Sequence, residues 1–257
     1  MNIVSSMNKL ILTTILSLFT LINPQSANAI LNGSLVPKDD YRKLPVVAIY
    51  VVDTNNENQL FSGVLLNSTT ILTAAHCFLN KYSSVHIFRS INLYVKSTDT
   101  ARIQVYENQI RKHPEYNSEL DTNDLAIIKL QAAFTNSESI IYPKLDDSVD
   151  DFENYIFFGY GHDLKNKVGA LNTVIKSKNT ILPVRPDYVD LIKFDQTDSV
   201  GISAGDSGGP VMATDGANIF LIGINSTVVG INGTLVGSKA SYVTKVSSAI
   251  DWIRSNM

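Results

Sequence analysis

The sequence is poor in cysteine, in tryptophan and in charged residues of either sign. Cys77 is the only cysteine among 257 residues, so no disulfide can form within the chain. Lys and Arg number 21 against 24 Asp and Glu, a net charge of −3, and no basic cluster stands out. This balance argues against a nucleic-acid partner. Hydrophobic residues make up 44% of the chain, enough to build a core without cross-links.

Long apolar runs are also scarce, apart from one near the N-terminus. Lys9 precedes the run "LILTTILSLFTLI" (Leu10–Ile22), and the small-residue tripeptide "ANA" ends at Ala29. This order predicts a secretory signal peptide over residues 1–29. The run has about 13 residues, fewer than the ~20 that a membrane span needs. We therefore expect a mature chain of residues 30–257 that is secreted or periplasmic and keeps no stable membrane anchor.

Along the mature chain, short apolar runs recur between turn residues, as is typical of a β-sandwich or β-barrel. The predicted strand segments are "LPVVAIYVV" (Leu44–Val52), "GVLLNSTTILTAA" (Gly63–Ala75), "DLAIIKL" (Asp124–Leu130), "NYIFFGYG" (Asn154–Gly161) and "IFLIGINS" (Ile219–Ser226). The tail differs, because Val246, Ala249, Ile250 and Ile253 fall at the i, i+3, i+4, i+7 spacing of a helix. The sequence thus predicts a mainly β body closed by one C-terminal helix.

Three segments carry residue types that can do chemistry. In "LTAAHC", His76 follows an apolar strand, and in "TNDLAIIKL", Asp124 opens one. A carboxylate that faces inward there needs a partner, and an imidazolium is such a partner. In "SAGDSGGPV", Ser207 lies in a glycine-rich turn where the N–H groups of Gly205 and Ser207 could bind one oxyanion. Each segment alone also fits an ordinary structural role: a satisfied histidine, a solvated carboxylate, a tight turn.

Taken together, "LTAAHC", "NDLAIIKL" and "GDSGGP" resemble the three signature blocks of the chymotrypsin-like (trypsin family) serine proteases, in that family's chain order of His, Asp and Ser. "IRKHPEYN" (Ile110–Asn117), "FFGYG" and "SAIDWI" are similar to further family segments. The resemblance covers nearly all of residues 30–257. It implies an all-β fold, a double six-stranded antiparallel β-barrel of two subdomains with a C-terminal helix.

The resemblance also implies a function, that of a serine endopeptidase acting on protein or peptide substrates as a monomer. In the implied roles, His76 is the general base, Asp124 orients it, and Ser207 is the nucleophile that forms an acyl-enzyme. The N–H groups of Gly205 and Ser207 form the oxyanion hole. No metal and no cofactor are required.

The segment "ILNG", which begins at Ile30, resembles the N-terminus that family members expose on activation. The new amine would form an activation salt bridge with Asp206, the acid before the nucleophile. Because Ile30 follows the predicted signal cleavage site, we hypothesise that signal peptidase itself creates the activating N-terminus. A simpler possibility is that Ile30 is only the first residue of a strand.

Two departures from the family concern its disulfides. Cys77 matches a family cysteine whose partner position is occupied here by Phe61, and Ser203 stands where a cysteine usually precedes the nucleophile. The resemblance therefore implies that two family bridges are missing, which puts the rigidity of the specificity pocket in doubt. A secreted chain with so few cysteines suggests a bacterial source.

The specificity pocket can be placed only by analogy. Alignment without a gap puts Gly201 at the pocket base and Ser226, Thr227 and Val228 along its wall. A valine at the mouth narrows the pocket and favours small or medium apolar side chains. If Asp198 lines the pocket instead, a trypsin-like preference for Lys or Arg follows. A catalytically weak or inactive binding protein with the protease fold is a rival interpretation, and a secreted esterase that uses the same triad is a less favoured one.

Overall fold

The computed structural model describes residues 30–90, 101–134, 139–145, 152–161, 170–229 and 239–257. The predicted signal peptide lies outside these ranges. Strands are the main regular structure of the described backbone, with two short helices, α1 (Lys38–Tyr41) and α2 (Ile250–Ser255). In chain order the strands are β1 (Ser34–Leu35), β2 (Val46–Asp53), β3 (Asn58–Leu65), β4 (Thr70–Thr73), β5 (Tyr82–Arg89), β6 (Ala101–Val105), β7 (Ile110–Lys112), β8 (Ala126–Lys129), β9 (Lys144–Leu145), β10 (Asn154–Gly159), β11 (Asn172–Ser177), β12 (Ile181–Leu182), β13 (Leu191–Asp195), β14 (Pro210–Thr214), β15 (Ile219–Val229) and β16 (Ala240–Lys245).

The strands form two sheets. The first sheet has the order β6-β5-β2-β3-β4-β8-β7, and the second has the order β1-β11-β10-β14-β15-β16-β13-β12 with β9 beside β15. Apart from the parallel pair β9–β15, the described strand pairs are antiparallel. The predicted all-β fold is confirmed. The sheets hold seven and nine strands rather than six, because pieces of two or three residues, such as β7 and β12, extend them.

The interior holds two apolar cores, and the first and larger one contains residues of both sheets, including strands β4 and β10. Branched aliphatic side chains such as Ile49, Ile71 and Leu72 fill the first core and are completely buried. The second core is aromatic, with the Phe194 ring edge-on to the ring of Phe157 at a centroid distance of 4.9 Å. Burial of each such side chain contributes about 1.5–3 kcal/mol. Two cores of this size can hold the fold together without disulfides.

A turn divides the segment that the sequence predicted as one strand from Gly63 to Ala75. Asn67 causes the break, since its side-chain oxygen accepts a hydrogen bond from the backbone N–H of Thr69 at 3.0 Å. Such side-chain bonding to the backbone two residues on favours a turn over an extended strand. The chain therefore reverses between β3 and β4, which pair as a hairpin and lead into the site-bearing segment after Thr73.

The predicted C-terminal helix is confirmed. A single 3-10 turn, Ser247–Ala249, leads into α2, and Val246, Ala249 and Ile253 are buried against the first core. Trp252 packs edge-on against His113 with ring centroids 4.7 Å apart. Among the helices of the described ranges, none has the length and apolar character to cross a membrane.

The two sheets meet at Ser62, a buried residue of β3. Its backbone N–H donates to the carbonyl of Ser207 at 2.8 Å, and its hydroxyl donates to the carbonyl of Gly205 at 3.0 Å. The same hydroxyl accepts a hydrogen bond from the N–H of Tyr160 at 2.9 Å. One residue of the first sheet thus holds the glycine-rich loop of the second sheet.

Candidate active site

His76 and Asp124 come from the ends of two paired strands of the first sheet. β4 runs into a 3-10 turn, Ala75–Phe78, which carries His76, and Asp124 lies just before β8, the partner of β4. The backbone N–H of His76 donates to Asp124 Oδ1 at 2.8 Å, and Nδ1 of the ring lies 2.6 Å from Oδ2. Two bonds therefore fix the orientation of the imidazole.

Asp124 is completely buried and its carboxylate is fully hydrogen-bonded. Besides the two bonds from His76, the hydroxyl of Ser226 donates to Oδ2 at 2.6 Å. Burial by itself would raise the pKa of Asp124, but the hydrogen bonds and charge of His76 and the bond from Ser226 outweigh it and hold the pKa below its usual value. Asp124 therefore stays ionised in its buried position.

The same contacts shift the pKa of the His76 imidazole in the opposite direction. Burial favours the neutral ring, but the hydrogen bond and charge of Asp124, with the charge of Asp121, outweigh it and raise the pKa of His76 above its usual value. The side chain keeps 22% of its surface exposed, so the ring edge away from Asp124 is accessible. The ring can accept a proton there while Asp124 stabilises the resulting charge.

Ser207 lies in the loop between β13 and β14, which turns through two glycines in the left-handed region. Gly205 has φ +91° and Gly208 has φ +81°, and a Cβ on Gly208 would come 2.0 Å from Thr73 Oγ1. Only glycine satisfies both the dihedral angle and the packing. The Ser207 hydroxyl donates to the carbonyl of Ser226 at 3.4 Å, a long and weak bond. It is not hydrogen-bonded to His76 in this structure.

The backbone N–H groups of Gly205 and Ser207 donate to no acceptor within the described residues. The loop around them is nonetheless fixed, because the N–H of Gly208 donates to the carbonyl of Asn225 at 2.8 Å. The side chain of Asn225 returns a bond to the carbonyl of Asp206 at 3.2 Å. Two free donors on a fixed loop beside a hydroxyl are suited to binding an oxyanion.

Asp206 is completely buried between the glycine-rich loop and the segment after β10. Its carboxylate accepts hydrogen bonds from the N–H groups of Gly161 at 2.9 Å and Ser203 at 2.8 Å. Burial outweighs these bonds and raises the pKa of Asp206 to about 7. Within the described residues no cation faces this carboxylate. The carboxylate of Asp206 therefore lacks the cationic partner that a buried carboxylate needs.

Ile30 is completely buried in the second core, and Leu31 is bridged to Gly201 by N–H···O bonds of 2.8 and 3.2 Å. The predicted ion pair with Asp206 needs a free amine, whereas the nitrogen of Ile30 is a peptide nitrogen in this chain. The activation salt bridge thus stays a prediction. Ile30 itself lies before β1, which begins at Ser34.

One cavity, of about 240 Å³, brings half of the predicted site residues together. It is smaller than the roughly 300–1,000 Å³ of a typical small-molecule site, and its size suits a side chain of a peptide. Its lining residues are His76, Asp121, Ile202, Ser203, Ala204, Ser207, Ser226, Thr227 and Val228.

Gly201, predicted as the pocket base, is not among the lining residues. It is buried with φ +152°, and a Cβ there would come 2.2 Å from the side chain of Gln196. That side chain also bonds both backbone groups of Ile202, at 2.8 and 3.2 Å. Gly201 is therefore needed for close packing, while its neighbour Ile202 presents an apolar wall to the cavity.

Asp198, on which a preference for Lys or Arg would depend, lies away from the cavity. Its carboxylate binds Lys176 Nζ at 2.9 and 3.1 Å, and 56% of its side chain is exposed. Lys176 itself is almost completely buried and needs this partner. The negative charge of Asp198 is thus paired with a lysine of the protein itself.

The two cysteine departures have structural counterparts. Cys77 is a buried free thiol, and Phe61 packs edge-on against the ring of His76 with centroids 6.2 Å apart. An aromatic contact therefore borders the histidine from the position that resemblance assigned to a cysteine. Ser203 is buried in the cavity wall, where its N–H holds Asp206.

Sequence reasoning missed Asp121, Ile202 and Ala204 as parts of this cavity. Asp121 precedes Asp124 by only three positions, and that proximity was the one available signal. Ile202 and Ala204 flank the recognised "GDSGGP" block, but nothing in their types distinguishes a cavity wall from a core. Ser226 was assigned to the pocket wall, and its bond to Asp124 was not foreseen.

The family model described as Trypsin matches residues 42–253. The chain belongs to the trypsin family. Its domain is accordingly that of a serine endopeptidase. Among solved structures, one described as HL collagenase is 22% identical and has a TM-score of 0.72, covering 88% of this chain and 98% of the other. At this identity the likeness bears on the fold alone.

Curated relatives are animal proteins. Chymotrypsin of Phaedon cochleariae is 25% identical over 88% of this chain and 82% of its own length. Human tissue-type plasminogen activator is 26% identical over 78% of this chain, and human kallikrein-4 is 38% identical over 33%. The chain spans 40% and 32% of the lengths of these last two proteins. A bacterial source stays a prediction beside these animal relatives.

Proposed function

We propose that this protein is a secreted serine endopeptidase in which Ser207 attacks the peptide bond, His76 transfers protons and Asp124 orients the imidazole. One observation is the main support for this proposal. His76, which is bonded twice to the buried Asp124, borders the same cavity as Ser207, and two unused backbone donors lie in the Ser207 loop. Family membership agrees with this interpretation. The residues named require no metal or cofactor for the reaction.

In the proposed reaction, Ser207 Oγ first turns from its weak bond with Ser226 toward Nε2 of His76. Nε2 takes the hydroxyl proton while Oγ bonds to the scissile carbonyl carbon, a general-base step worth about 10²–10⁴-fold. His76 then gives that proton to the leaving amine, and the C–N bond breaks. Water, activated by His76 in the same way, hydrolyses the acyl-enzyme and restores Ser207.

The negative charge that develops on the carbonyl oxygen would be bound by the N–H groups of Gly205 and Ser207. Each donor of this kind is worth roughly 3 kcal/mol when correctly aimed. The carbonyl of Gly205 is already held by Ser62, so the backbone around the donors need not reorganise during reaction. This fixed geometry is what makes such donors effective.

We propose a primary preference for small or medium apolar side chains. Ile202 and Val228 line the cavity and give it an apolar surface. Asp198, on which a preference for Lys or Arg would depend, is not among the lining residues and is bound to Lys176. A trypsin-like preference for Lys or Arg therefore has no support from this site.

The proposal also includes how the N-terminus of the mature chain is formed. Signal cleavage after Ala29 would free the amine of Ile30, and the buried carboxylate of Asp206 lacks a cationic partner that this amine can supply. Secretion would deliver the chain already activated. Mass spectrometry of the secreted protein should find Ile30 as the first residue, and a different start would contradict this route.

The activity can be tested by digestion of an unfolded protein, such as reduced and alkylated casein, with the chain that starts at Ile30. Mass spectrometry should find fragments that end mainly after Ala, Val or Leu, and Ser207→Ala should give none. Fragments that end after Lys or Arg would refute the apolar preference. Absence of any cleavage by folded protein would favour the non-catalytic binding protein.

A further inference from the structure

Asp190 is a buried carboxylate that lies outside the cavity. It immediately precedes β13 of the second sheet, and only 5% of its surface is exposed. Its Oδ2 accepts a hydrogen bond from the backbone N–H of Asn123, the residue before Asp124. The two partners are 67 positions apart in the chain. A carboxylate that borders the second sheet therefore binds the backbone next to Asp124, which borders the first.

The backbone around Asp124 forms a tight turn. Asn123 has φ +50°, in the left-handed region that residues other than glycine rarely adopt. The N–H of Leu125 donates to the carbonyl of Asn123 at 2.7 Å, so Asp124 is the central residue of a three-residue turn. A residue stays in such a conformation only when surrounding contacts hold it there. The direction of the Asp124 side chain therefore depends on the contacts of its two neighbours.

Different sheets hold these two neighbours. On one side, the carbonyl of Leu125 accepts a hydrogen bond at 2.8 Å from the N–H of His113, which follows β7 of the first sheet. On the other side, the N–H of Asn123 donates to Asp190, beside the second sheet. The orientation of the turn thus depends on both sheets.

Asp190 is itself fixed by the second sheet. Its carbonyl accepts a hydrogen bond at 2.7 Å from the N–H of Lys245 on β16, the strand that pairs with β13. The ammonium of Lys245 donates to the carbonyl of the preceding residue, Val189, at 2.8 Å. Asp190 can therefore serve as a fixed acceptor for the N–H of Asn123.

The carboxylate of Asp190 has little other support. Within the described part of the chain it makes no second hydrogen bond and no ion pair. His113 is close, but burial lowers the pKa of its ring despite the charges of Glu115 and Asp190, so the neutral ring is favoured. A buried carboxylate with one neutral donor costs the fold more than an amide or an apolar side chain would. Stability therefore does not explain an acid at this position.

We propose that Asp190 is a positioning residue for Asp124, which acts through its charge-assisted hydrogen bond to the N–H of Asn123. The proposal rests on the proposed endopeptidase function. Ser226, which also belongs to the second sheet, binds the carboxylate of Asp124 itself. The second sheet thus fixes both the side chain of Asp124 and the backbone before it, and Asp190 supplies the backbone contact.

Two substitutions in the chain that starts at Ile30 test the proposal. Asp190→Ala removes the acceptor and should lower kcat, measured per active site titrated with a fluorophosphonate, by about ten-fold. KM should not change, because Asp190 does not line the cavity. Asp190→Asn keeps an acceptor but loses the charge, so it should lower kcat by only about three-fold. It also removes a buried charge and should fold at least as stably as the native protein.

The pH profile separates alignment from a general structural effect. Burial opposes the raised pKa of His76, which comes from the hydrogen bond and charge of Asp124 and from the charge of Asp121. The charge of Asp190 does not contribute to this shift. A poorly aligned Asp124 should therefore move the acid-side midpoint of kcat/KM toward the usual value of about 6.5. A loss of stability alone would reduce the number of active sites and leave the midpoint in place.

The matched control is Asp187→Ala, which removes an exposed carboxylate of the same segment that is paired with Arg185. Its kcat and midpoint should equal those of the native protein. Native values of both in Asp190→Ala, or in Asp190→Asn if the alanine variant does not fold, would overturn the proposal. Fewer titrated sites with an unshifted midpoint would also overturn it, because that result assigns Asp190 to stability alone.

Failure of this proposal is distinguishable from failure of the proposed function. If the native chain reacts with the fluorophosphonate and cleaves peptides while both Asp190 variants match it, the endopeptidase stands and the role of Asp190 falls. If the folded native chain neither reacts nor cleaves, the proposed function falls, and the role of Asp190 with it.

Discussion

His76 and the carboxylate of Asp124 are joined twice, through the backbone N–H of His76 at 2.8 Å and through Nδ1 of its ring at 2.6 Å. The two oxygen atoms of the Asp124 carboxylate therefore fix both the backbone and the ring of His76. The bond to Nδ1 keeps the proton on that nitrogen, which leaves Nε2 available to accept one. The third bond, from Ser226, comes from the second sheet and ties the pair to the substrate-facing strand.

The first prediction concerns pH. The pKa of His76 lies above its usual value, so kcat/KM should fall on the acid side through a midpoint above about 6.5, because protonated His76 cannot act as a base. Asp124→Asn should reduce kcat by about 10⁴-fold, the size typical of a Ser-His-Asp triad. Asp251→Asn, an exposed change on α2, should leave the profile unaltered. A midpoint below 6.5 would contradict the electrostatic account.

The second prediction concerns the junction between the sheets. Ser62→Ala removes the hydroxyl that binds Gly205 and Tyr160 and should reduce the free energy of unfolding by about 1–3 kcal/mol. It should also reduce kcat, since the carbonyl of Gly205 loses its anchor. Ser241→Ala is the matched control, because this buried hydroxyl has no hydrogen-bond partner. Urea unfolding should find that Ser241→Ala leaves the free energy of unfolding unchanged or raises it. Equal losses of free energy in both variants would contradict the role of the Ser62 hydroxyl between the sheets.

The third prediction uses two glycines with the same backbone strain. Gly205 has φ +91° and Gly216 has φ +87°, but a Cβ would lie 2.6 Å from Gly161 Cα at the first position and would meet nothing within 4 Å at the second. Gly216→Ala should cost about 1 kcal/mol of stability and leave activity intact. Gly205→Ala should cost more stability and at least 10²-fold in kcat, because it displaces an oxyanion donor. Retained activity in Gly205→Ala would argue against the proposed oxyanion hole.

The fourth prediction concerns the new N-terminus. With Ile30 in a peptide bond, the folded-state pKa of Asp206 is raised to about 7, so the folded chain holds a proton that the unfolded chain releases near pH 4. Stability from this group is complete below about pH 4 and is lost as the pH rises to about 7, a loss on the order of 4 kcal/mol. A free Ile30 ammonium should lower the pKa of Asp206 and abolish that loss.

Urea unfolding of two chains measures this effect. One chain starts at Ile30, and the other carries a few extra residues before it. The extended chain should lose stability between pH 4 and 7 relative to the mature chain, and contributions from other groups cancel in the difference. Parallel stability profiles would show that Asp206 does not bind the N-terminal amine.

Local sequence patterns predicted a β body with a C-terminal helix, while resemblance to family motifs supplied the two-barrel fold and the roles of the three central residues, each of which is close in sequence to a strand. His76 follows β4, Asp124 precedes β8, and Ser207 lies in a loop whose glycines are needed for left-handed dihedral angles. Apolar runs and glycine positions are visible in sequence, so these placements could be predicted. The C-terminal helix followed from its apolar spacing in the same way.

Contacts between distant segments could not be predicted. Ser62 and Gly205 are 143 positions apart, and Asp124 and Ser226 are 102 apart, and neither serine differs in type from an ordinary strand residue. The cavity wall at Ile202 depends on Gln196, which holds the backbone of Ile202 and crowds Gly201. Such relations depend on three-dimensional packing, which one sequence does not encode as a visible pattern.

Covalent labelling with a fluorophosphonate probe tests the central claim most directly, since it needs a nucleophilic Ser207, an oriented His76 and a formed oxyanion hole together. The folded chain that starts at Ile30 should bind one probe per molecule, and Ser207→Ala should bind none. Absence of labelling in folded, correctly processed protein would contradict the account and favour a non-catalytic binding protein with the protease fold.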